Sequence, residues 1–448
     1  MLSFLARRFV AWHAWADASP LRRMGRAAMV AAATSLFARI LGFLKEIVVA
    51  ASFGLSGELD IYLVAFVLIG MPLSILLNAM QTALIAHLAA GLEGNTAARR
   101  FTATCLLTLA LLALVLPLWL LVLPDLLPWL AAGFSPRKRE ALEVALLWLV
   151  PYYFLNGFNL LGYGALQANG RFFANGLLPA ATPLAIMLGV FAWGAAGGWN
   201  LLAVALSLGS AVESGLLLIA LGRLGLLAWP DNLKVASPIA LASLALLPGT
   251  LVMAFGPLVE QAIAASLGEG SNAALAYGYK LPATLQSILV TAVGITALPY
   301  FSAQLGRGRH AYSLHSLNKL ALALLASGAL LALPLAFFSA EIATLLYQRG
   351  AFDAFATARV APIQLAYFIQ IPFALVAMLS IKTLAALGRN GLLSFYTALG
   401  VLLQSLLAYG FATYRGLPGI AWAAVLASAL TAMIAYLTAR STLRGLSS

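Results

Sequence analysis

The sequence predicts an all-α polytopic membrane protein, with about twelve transmembrane helices in two six-helix lobes related by a pseudo-two-fold axis along the membrane normal. Three observations lead there. The 448-residue chain is 63% hydrophobic and only 9% charged, whereas charged residues make up about a quarter of an ordinary soluble domain. Apolar runs of about 20 residues, enough to cross the hydrocarbon core as a helix, recur along the chain between Gly, Pro, Asn or charged punctuation. Finally, KEIVVAASFG at Lys45 to Gly54 is echoed by VEQAIAASLG at Val259 to Gly268.

Residues 1–26 carry Arg7, Arg8, Arg22, Arg23 and Arg26 beside Trp12 and Trp15. They lack the long apolar core and small-residue cleavage site of a signal peptide. They read as a basic cytoplasmic or interfacial arm, with aromatic and basic residues at headgroup level. Spans follow near 27–53, 60–90, 101–123, 141–168, 176–196 and 200–222, making a first lobe over 27–224. A second lobe over 238–440 holds spans near 238–266, 273–302, 316–338, 359–387, 392–413 and 417–438, and 441–448 form a cytoplasmic tail. Pro72, Pro282 and Pro372 predict kinks in the long spans. Short interfacial helices are expected in PDLLPWLAAGFSPRKRE after span three and SAEIATLLYQRGAFDAF after span nine.

With the N-terminus in the cytoplasm, that side collects the arm's arginines together with Arg99, Arg100, Arg171, Arg223, Lys234, Arg307, Arg309, Arg389, Arg440 and Arg444. The other side holds only Arg137, Lys138, Arg139, Arg349, Arg359 and Arg415. The positive-inside rule therefore places both termini in the cytoplasm. The net charge of +12 is accounted for mainly by this orientation, not by nucleic acid, for which no partner role is expected.

The repeat holds at a constant offset of 214 residues: Glu46/Glu260, Ala50/Ala264, Ala51/Ala265, Ser52/Ser266 and Gly54/Gly268 match, as do Thr82/Thr296, Ala83/Ala297, Leu84/Leu298, Ala89/Ala303 and Gly94/Gly308. An even number of spans separates the copies, so the repeat is parallel. Two such lobes enclose a cavity suited to alternating access.

Of 26 basic residues, Arg39, Lys45, Lys280, Lys319 and Lys382 fall within spans. Lys319 lies near the cytoplasmic start of its span and snorkels. A charge near the bilayer centre costs about 3 kcal/mol on insertion scales, so the others should face a watery cavity or a partner. Arg39 and Glu46 share one face of the first span, whereas Lys45 points about 100° from Glu46 and is not expected to pair simply with it. Glu260 and Gln261 follow Gly256 and Pro257, where a kink would free carbonyls able to help hold Na⁺ or a proton. Lys280 lies between Tyr279 and Pro282, and Lys382 close enough to Arg389 for snorkelling to compete. Glu143 and Glu213 receive no role. Basic groups lining a cavity suit an anionic substrate, above all a diphosphate.

Cys105 is the only cysteine, which excludes an internal disulfide and any cysteine-based zinc site, and the four histidines form no cluster. No metal site or cofactor is expected. Short loops offer no acidic or histidine constellation for an integral-membrane glycosyltransferase, so no enzyme activity is expected. Without a Walker A pattern, transport would draw on a Na⁺ or H⁺ gradient or the membrane potential.

The stretches ARILGFLKEIVVAASFG, GALQANGRFFANGLLPAATPL, LAYGYKLPATLQSILVTAVGITALPYFS and LLYQRGAFDAFATARVA together resemble the MurJ/MviN family of lipid II flippases, within the multidrug, oligosaccharidyl-lipid and polysaccharide exporter superfamily. The resemblance covers most of residues 27–440. It implies a MATE/MurJ-like two-lobe fold in the bacterial inner membrane that carries a polyprenyl-diphosphate-linked saccharide to the outer leaflet. Arg39 and Lys45 match cavity-lining basic positions, Glu46 the adjoining acidic one and Glu260 an acidic position of helix seven. Gly278, Tyr279 and Lys280 replace an Ala-Asp-Arg motif, keeping its positive charge. Leu73, Ser74 and Asn78 stand where the family has a basic pair and an acid, and the chain shows twelve spans where lipid II flippases add two.

On these grounds Arg39, Lys45 and Lys280 are the expected diphosphate-binding residues, and Glu46, Glu260, Gln261, Asn78 and Lys382 the expected polar or coupling residues of the cavity. Lipid II or a related envelope glycan precursor is the expected cargo, with membrane lipids and envelope-synthesis enzymes as partners. The alternatives are an ion-coupled exporter of small molecules and a non-transporting scaffold in envelope assembly.

Overall fold

The structure is a computed structural model that describes residues 20–89 and 94–447. Every regular element among them is helical. The first half comprises α1 (Pro20–Phe53), α2 (Gly57–Ala89), α3 (Gly94–Leu130), α4 (Pro136–Trp148), α5 (Val150–Ala168), α6 (Phe172–Leu177), α7 (Ala181–Trp193) and α8 (Gly198–Arg223). The second comprises α9 (Ser237–Leu244), α10 (Leu247–Ser266), α11 (Ser271–Gly306), α12 (His310–Phe337), α13 (Ser339–Tyr347), α14 (Ala354–Ala386), α15 (Asn390–Arg415) and α16 (Leu417–Ser447).

Among the described residues nine helical stretches are long and apolar enough to cross a membrane, or ten when the bent pair α4 and α5 counts as one. Twelve were expected, and the difference has two local sources. One of the nine, 172–223, contains both α7 and α8, which turn at Gly194 and Gly198 (φ 60° and 52°) and pack on each other. The charged α1 is not among the nine.

The ends also differ from expectation. Residues 1–19 of the basic arm lie outside the described residues, but 20–26 belong to α1, and 441–447 continue α16 instead of forming a tail. Helices α2, α11 and α14 run through Pro72, Pro282 and Pro372, and α10 runs through Pro257. The breaks fall before Pro151 and Pro248, which occupy the first turns of α5 and α10, where the missing N–H loses no helical bond. The axis bends by 45° between α4 and α5. After span nine the short helix α13 forms as expected; after span three α3 itself continues to Leu130, and Ser135 caps α4 by accepting from Lys138 N at 3.3 Å.

In the first half α2 packs on α5, α5 on α8 and α8 on α7, while α1 lies along α6 and α7. In the second, α14 is the hub for α11, α12 and α16, with α15 against α16 and α10. Helices α9 and α10 lie along α2, where Thr250 Oγ1 donates to the Ile75 carbonyl at 2.9 Å, and so join the halves on one side.

The repeated AAS-x-Gly segments close one end of the bundle. Gly54 and Gly268 adopt φ 53° and 102° beyond α1 and α10, the positive φ that suits glycine at a helix exit. The Ala51 carbonyl accepts from Ala351 N at 2.7 Å, and a Cβ at Gly350 would strike that carbonyl. Its repeat equivalent, the Ala265 carbonyl, lies against Gly133 in the same way. Each half thus seats the end of one helix, α1 or α10, on a glycine loop of the other, beside the buried Phe352 and Phe134. This reciprocity is what a pseudo-two-fold duplication produces. Gly350→Val forces a side chain into φ 60° and into the Ala51 carbonyl. It is expected to cost about 2 kcal/mol or more, read as a lower thermal midpoint of the purified protein with unchanged helix content at low temperature.

Candidate functional site

Between the halves lies a cavity of about 840 Å³, walled by α1, α2, α5, α7 and α8 on one side and α10, α11, α14 and α15 on the other. Lys45, Glu46 and Lys280 meet in its wall. Lys45 Nζ is 2.8 Å and Lys280 Nζ 2.6 Å from Glu46 Oε1. The expectation that Lys45 and Glu46 would not pair is therefore corrected: the backbone directions do diverge, but the four-carbon lysine stem bends back across that angle. One carboxylate oxygen serves two ammonium groups from different halves, leaving the cluster with one net positive charge. Lys280 is the more open partner, its side chain 42% exposed against 15% for Glu46, and so is placed to take an anion from the cavity.

Arg39 stands seven residues before Glu46, about 10 Å along the axis, and is outside the cavity wall. It donates to Ser287 Oγ of α11. Because Ser287 follows Lys280 by seven residues, Arg39–Ser287 and Glu46–Lys280 form two rungs between the antiparallel α1 and α11. Arg39→Ala is therefore expected to reduce transport less than Lys280→Ala, a ranking that initial transport rates at equal expression will check.

Glu260 and Gln261 line the wall from α10. Glu260 accepts from Gln404 Nε2 of α15, while Gln261 Oε1 is buried without a partner. Tyr279 and Tyr367 meet edge to face nearby, ring centroids 4.9 Å apart. Asn78 and Lys382 do not reach the wall. Asn78 is exposed and its carbonyl accepts from Thr82 Oγ1 at 2.7 Å; the Lys382 stem lies beside Gly294 of α11.

Two acidic sites were missed in the sequence. Glu213 of α8, given no role there, lies in the wall and is buried against Asn159 and Thr182. Asp60, in the first turn of α2, is fully buried at the closed end. It accepts from Gly270 N at 2.7 Å, Ala273 N at 3.0 Å and Lys138 Nζ at 3.1 Å. A carboxylate there satisfies N–H groups at the start of α11 and complements the helix dipole. Arg359 fastens the same corner, donating to the Glu269 carbonyl at 3.0 Å and Ser271 Oγ at 2.9 Å. A helix-start acid and a lysine 78 residues away carry no joint signal in a single sequence.

A family model described as lipid II flippase MurJ matches residues 49–448. A probable lipid II flippase MurJ of Synechocystis sp. is 26% identical over 438 residues, covering 90% of this chain and 79% of that protein. Among solved structures, a lipid II flippase MurJ in an inward closed conformation superposes with a TM-score of 0.78 at 18% identity, over 93% of this chain and 90% of that one. An inward-facing multidrug resistance transporter of the MATE family gives a TM-score of 0.71 at 16% identity, over 94% and 99%. The likeness in fold thus spans two transporter families, while the match in sequence selects one of them, and the chain belongs to the MurJ lipid II flippase family.

Proposed function

We propose that this protein flips a polyprenyl-diphosphate-linked saccharide, lipid II or a related envelope precursor, across the bacterial inner membrane by alternating access. The observation that carries this reading is the Lys45–Glu46–Lys280 cluster, built from both halves and facing one shared cavity. A diphosphate arriving there would draw Lys280 from Glu46, so binding and the contact between halves compete for the same ammonium group. The volume of about 840 Å³ falls within the about 300–1,000 Å³ typical of ligand sites, suiting a polar head while the lipid tail stays in the bilayer.

With both termini cytoplasmic, as the charge distribution predicts, the sealed end faces outward and the cavity awaits substrate from the inside. An ion gradient or the membrane potential drives the cycle, and the chain acts as a transporter, without catalysis. Expression in cells depleted of their own lipid II flippase tests the cargo. Restored growth identifies lipid II, and failure despite confirmed membrane expression points to another lipid-linked glycan.

A specific observation favours a second reading. The wall also contains Glu213 and Glu260 and the rings of Tyr62, Phe66, Tyr152 and Tyr279, a lining that suits organic cations. Export of small cations predicts that cells expressing the protein resist cationic dyes, and unchanged resistance would remove this reading.

A further inference from the structure

Like Glu260, Glu213 is a carboxylate of the cavity wall with no salt bridge and no partner in the opposite half among the described residues. It lies in the middle of α8 and is 6% exposed. Thr182 Oγ1 of α7 donates to Oε1 at 2.9 Å, and Asn159 Nδ2 of α5 donates to Oε2 at 3.3 Å. The Tyr163 hydroxyl, one turn beyond Asn159, lies near this carboxylate and is buried without a hydrogen-bond partner. A carboxylate so placed must be neutralised by a proton or a metal ion, because neutral dipoles do not offset a buried charge fully.

The orientation of Asn159 decides between them. Its amide nitrogen also donates to the Ser210 carbonyl at 3.2 Å, and its oxygen accepts from Ser214 Oγ at 2.7 Å. A carbonyl can only accept, so the amide is held with its NH₂ toward Glu213. A metal ion at Glu213 would meet that NH₂ instead of an oxygen. The hydroxyls of Thr182 and Tyr163, by contrast, can donate to an ionised carboxylate and accept from a protonated one. The site is satisfied in both proton states.

Among the described residues Glu213 makes no salt bridge. From α5 the titratable neighbours are Tyr152 and Tyr163, and α7 contains no charged residue. The acids of α2 are engaged elsewhere, Glu58 accepting from Trp199 N at 3.2 Å and Asp60 from Lys138 at 3.1 Å. On α4, Glu140 and Glu143 are exposed, and on α8 itself Arg223 lies ten residues on, in the last turn. Lys45, Glu46, Glu260 and Lys280 occupy other parts of the wall.

We infer that Glu213, with Thr182, Tyr163 and Asn159, forms a proton-binding site in the first half of the transporter, loaded and unloaded through the cavity. In the loading step a hydronium ion in the cavity gives its proton to a Glu213 carboxylate oxygen, forming one O–H bond and leaving water, and unloading is the reverse. This deepens the transport reading by naming the ion. It rests on that reading for its role in a cycle, but proton binding is measured without transport, so the two can fail separately.

The experiment is infrared spectroscopy of the purified full-length protein in liposomes, titrated in pH, comparing wild type with Glu213→Gln in choline chloride and again in sodium chloride. Glutamine keeps the shape of the protonated acid. The expected result is a protonated-carboxyl band that grows as pH falls, is lost in Glu213→Gln and keeps its midpoint in both salts. Thr182→Val, which removes one hydroxyl partner, is expected to shift the frequency of this band, giving a readout that does not depend on Glu213→Gln folding. No band dependent on Glu213 at any pH would overturn the inference. A midpoint that falls with rising sodium would also overturn it, in favour of a sodium site, as would a frequency unmoved by Thr182→Val.

Discussion

Lys280→Ala is expected to lower flipping of a diphosphate-linked substrate by about 10- to 100-fold, the factor corresponding to loss of one charge-assisted contact worth about 1.5–3 kcal/mol. Two features make this the largest single effect among the cavity residues. Lys280 comes from the second half while Lys45 and Glu46 come from the first, so its removal takes away both an anion contact and the ionic rung between α1 and α11. Its side chain is also the most exposed of the three, and therefore the one a ligand reaches first. Lys280→Arg keeps the charge and should retain most activity, although the planar guanidinium will not reproduce the point contact to Glu46. Initial rates in proteoliposomes, normalised to folded protein, check both variants. Wild-type rates in Lys280→Ala would remove it from the substrate site.

Asp60→Asn is expected to open the sealed end. The side chain joins three donors across the two halves, and asparagine, uncharged and presenting an NH₂ on one side, cannot accept from all of them. Loss of about 3 kcal/mol from the sealed state would raise the open-to-closed ratio on the order of 100-fold, at 1.4 kcal/mol per tenfold. A cysteine at Ala276, in the cavity wall, in a Cys105→Ser background reports the change. Its labelling by a membrane-impermeant maleimide from outside should accelerate in Asp60→Asn. Equal labelling rates would show that the seal does not depend on this carboxylate.

Much of the fold was legible because burial in lipid leaves a coarse signature. Apolar length gave the spans, and the AAS-x-Gly repeat marked the helix ends at Gly54 and Gly268 that seat against the opposite half. The prolines at the helix junctions were not singled out. Pro72, Pro282 and Pro372 sit inside continuous helices, whereas the breaks lie ahead of Pro151 and Pro248, since a proline tolerated in a first turn marks a junction and a packed helix can absorb one in its interior.

At the site, charge inside a span identified Lys45, Glu46, Glu260 and Lys280, all in the cavity wall. It could not exclude Arg39 and Lys382, which lie off it, because the cost of a buried charge says that a partner exists without saying on which face; Asn78, named from the resemblance, also lies off it. Arg39 donates to a serine of α11. Asp60 and Glu213 were illegible for the complementary reason: their partners are backbone N–H groups and a lysine 78 residues away for Asp60, and an amide and a hydroxyl for Glu213, none of which carries a joint signal in one sequence.

The central claim is that a lysine-bridged carboxylate between two halves handles a lipid-linked diphosphate. Its most direct test is transfer of a fluorescent polyprenyl-diphosphate saccharide between the leaflets of proteoliposomes, followed by its accessibility to a membrane-impermeant quencher. Wild-type protein should expose the probe, and Lys280→Ala should leave it behind. Equal transfer by both, or no transfer by folded wild-type protein under an imposed ion gradient and membrane potential, would contradict the account.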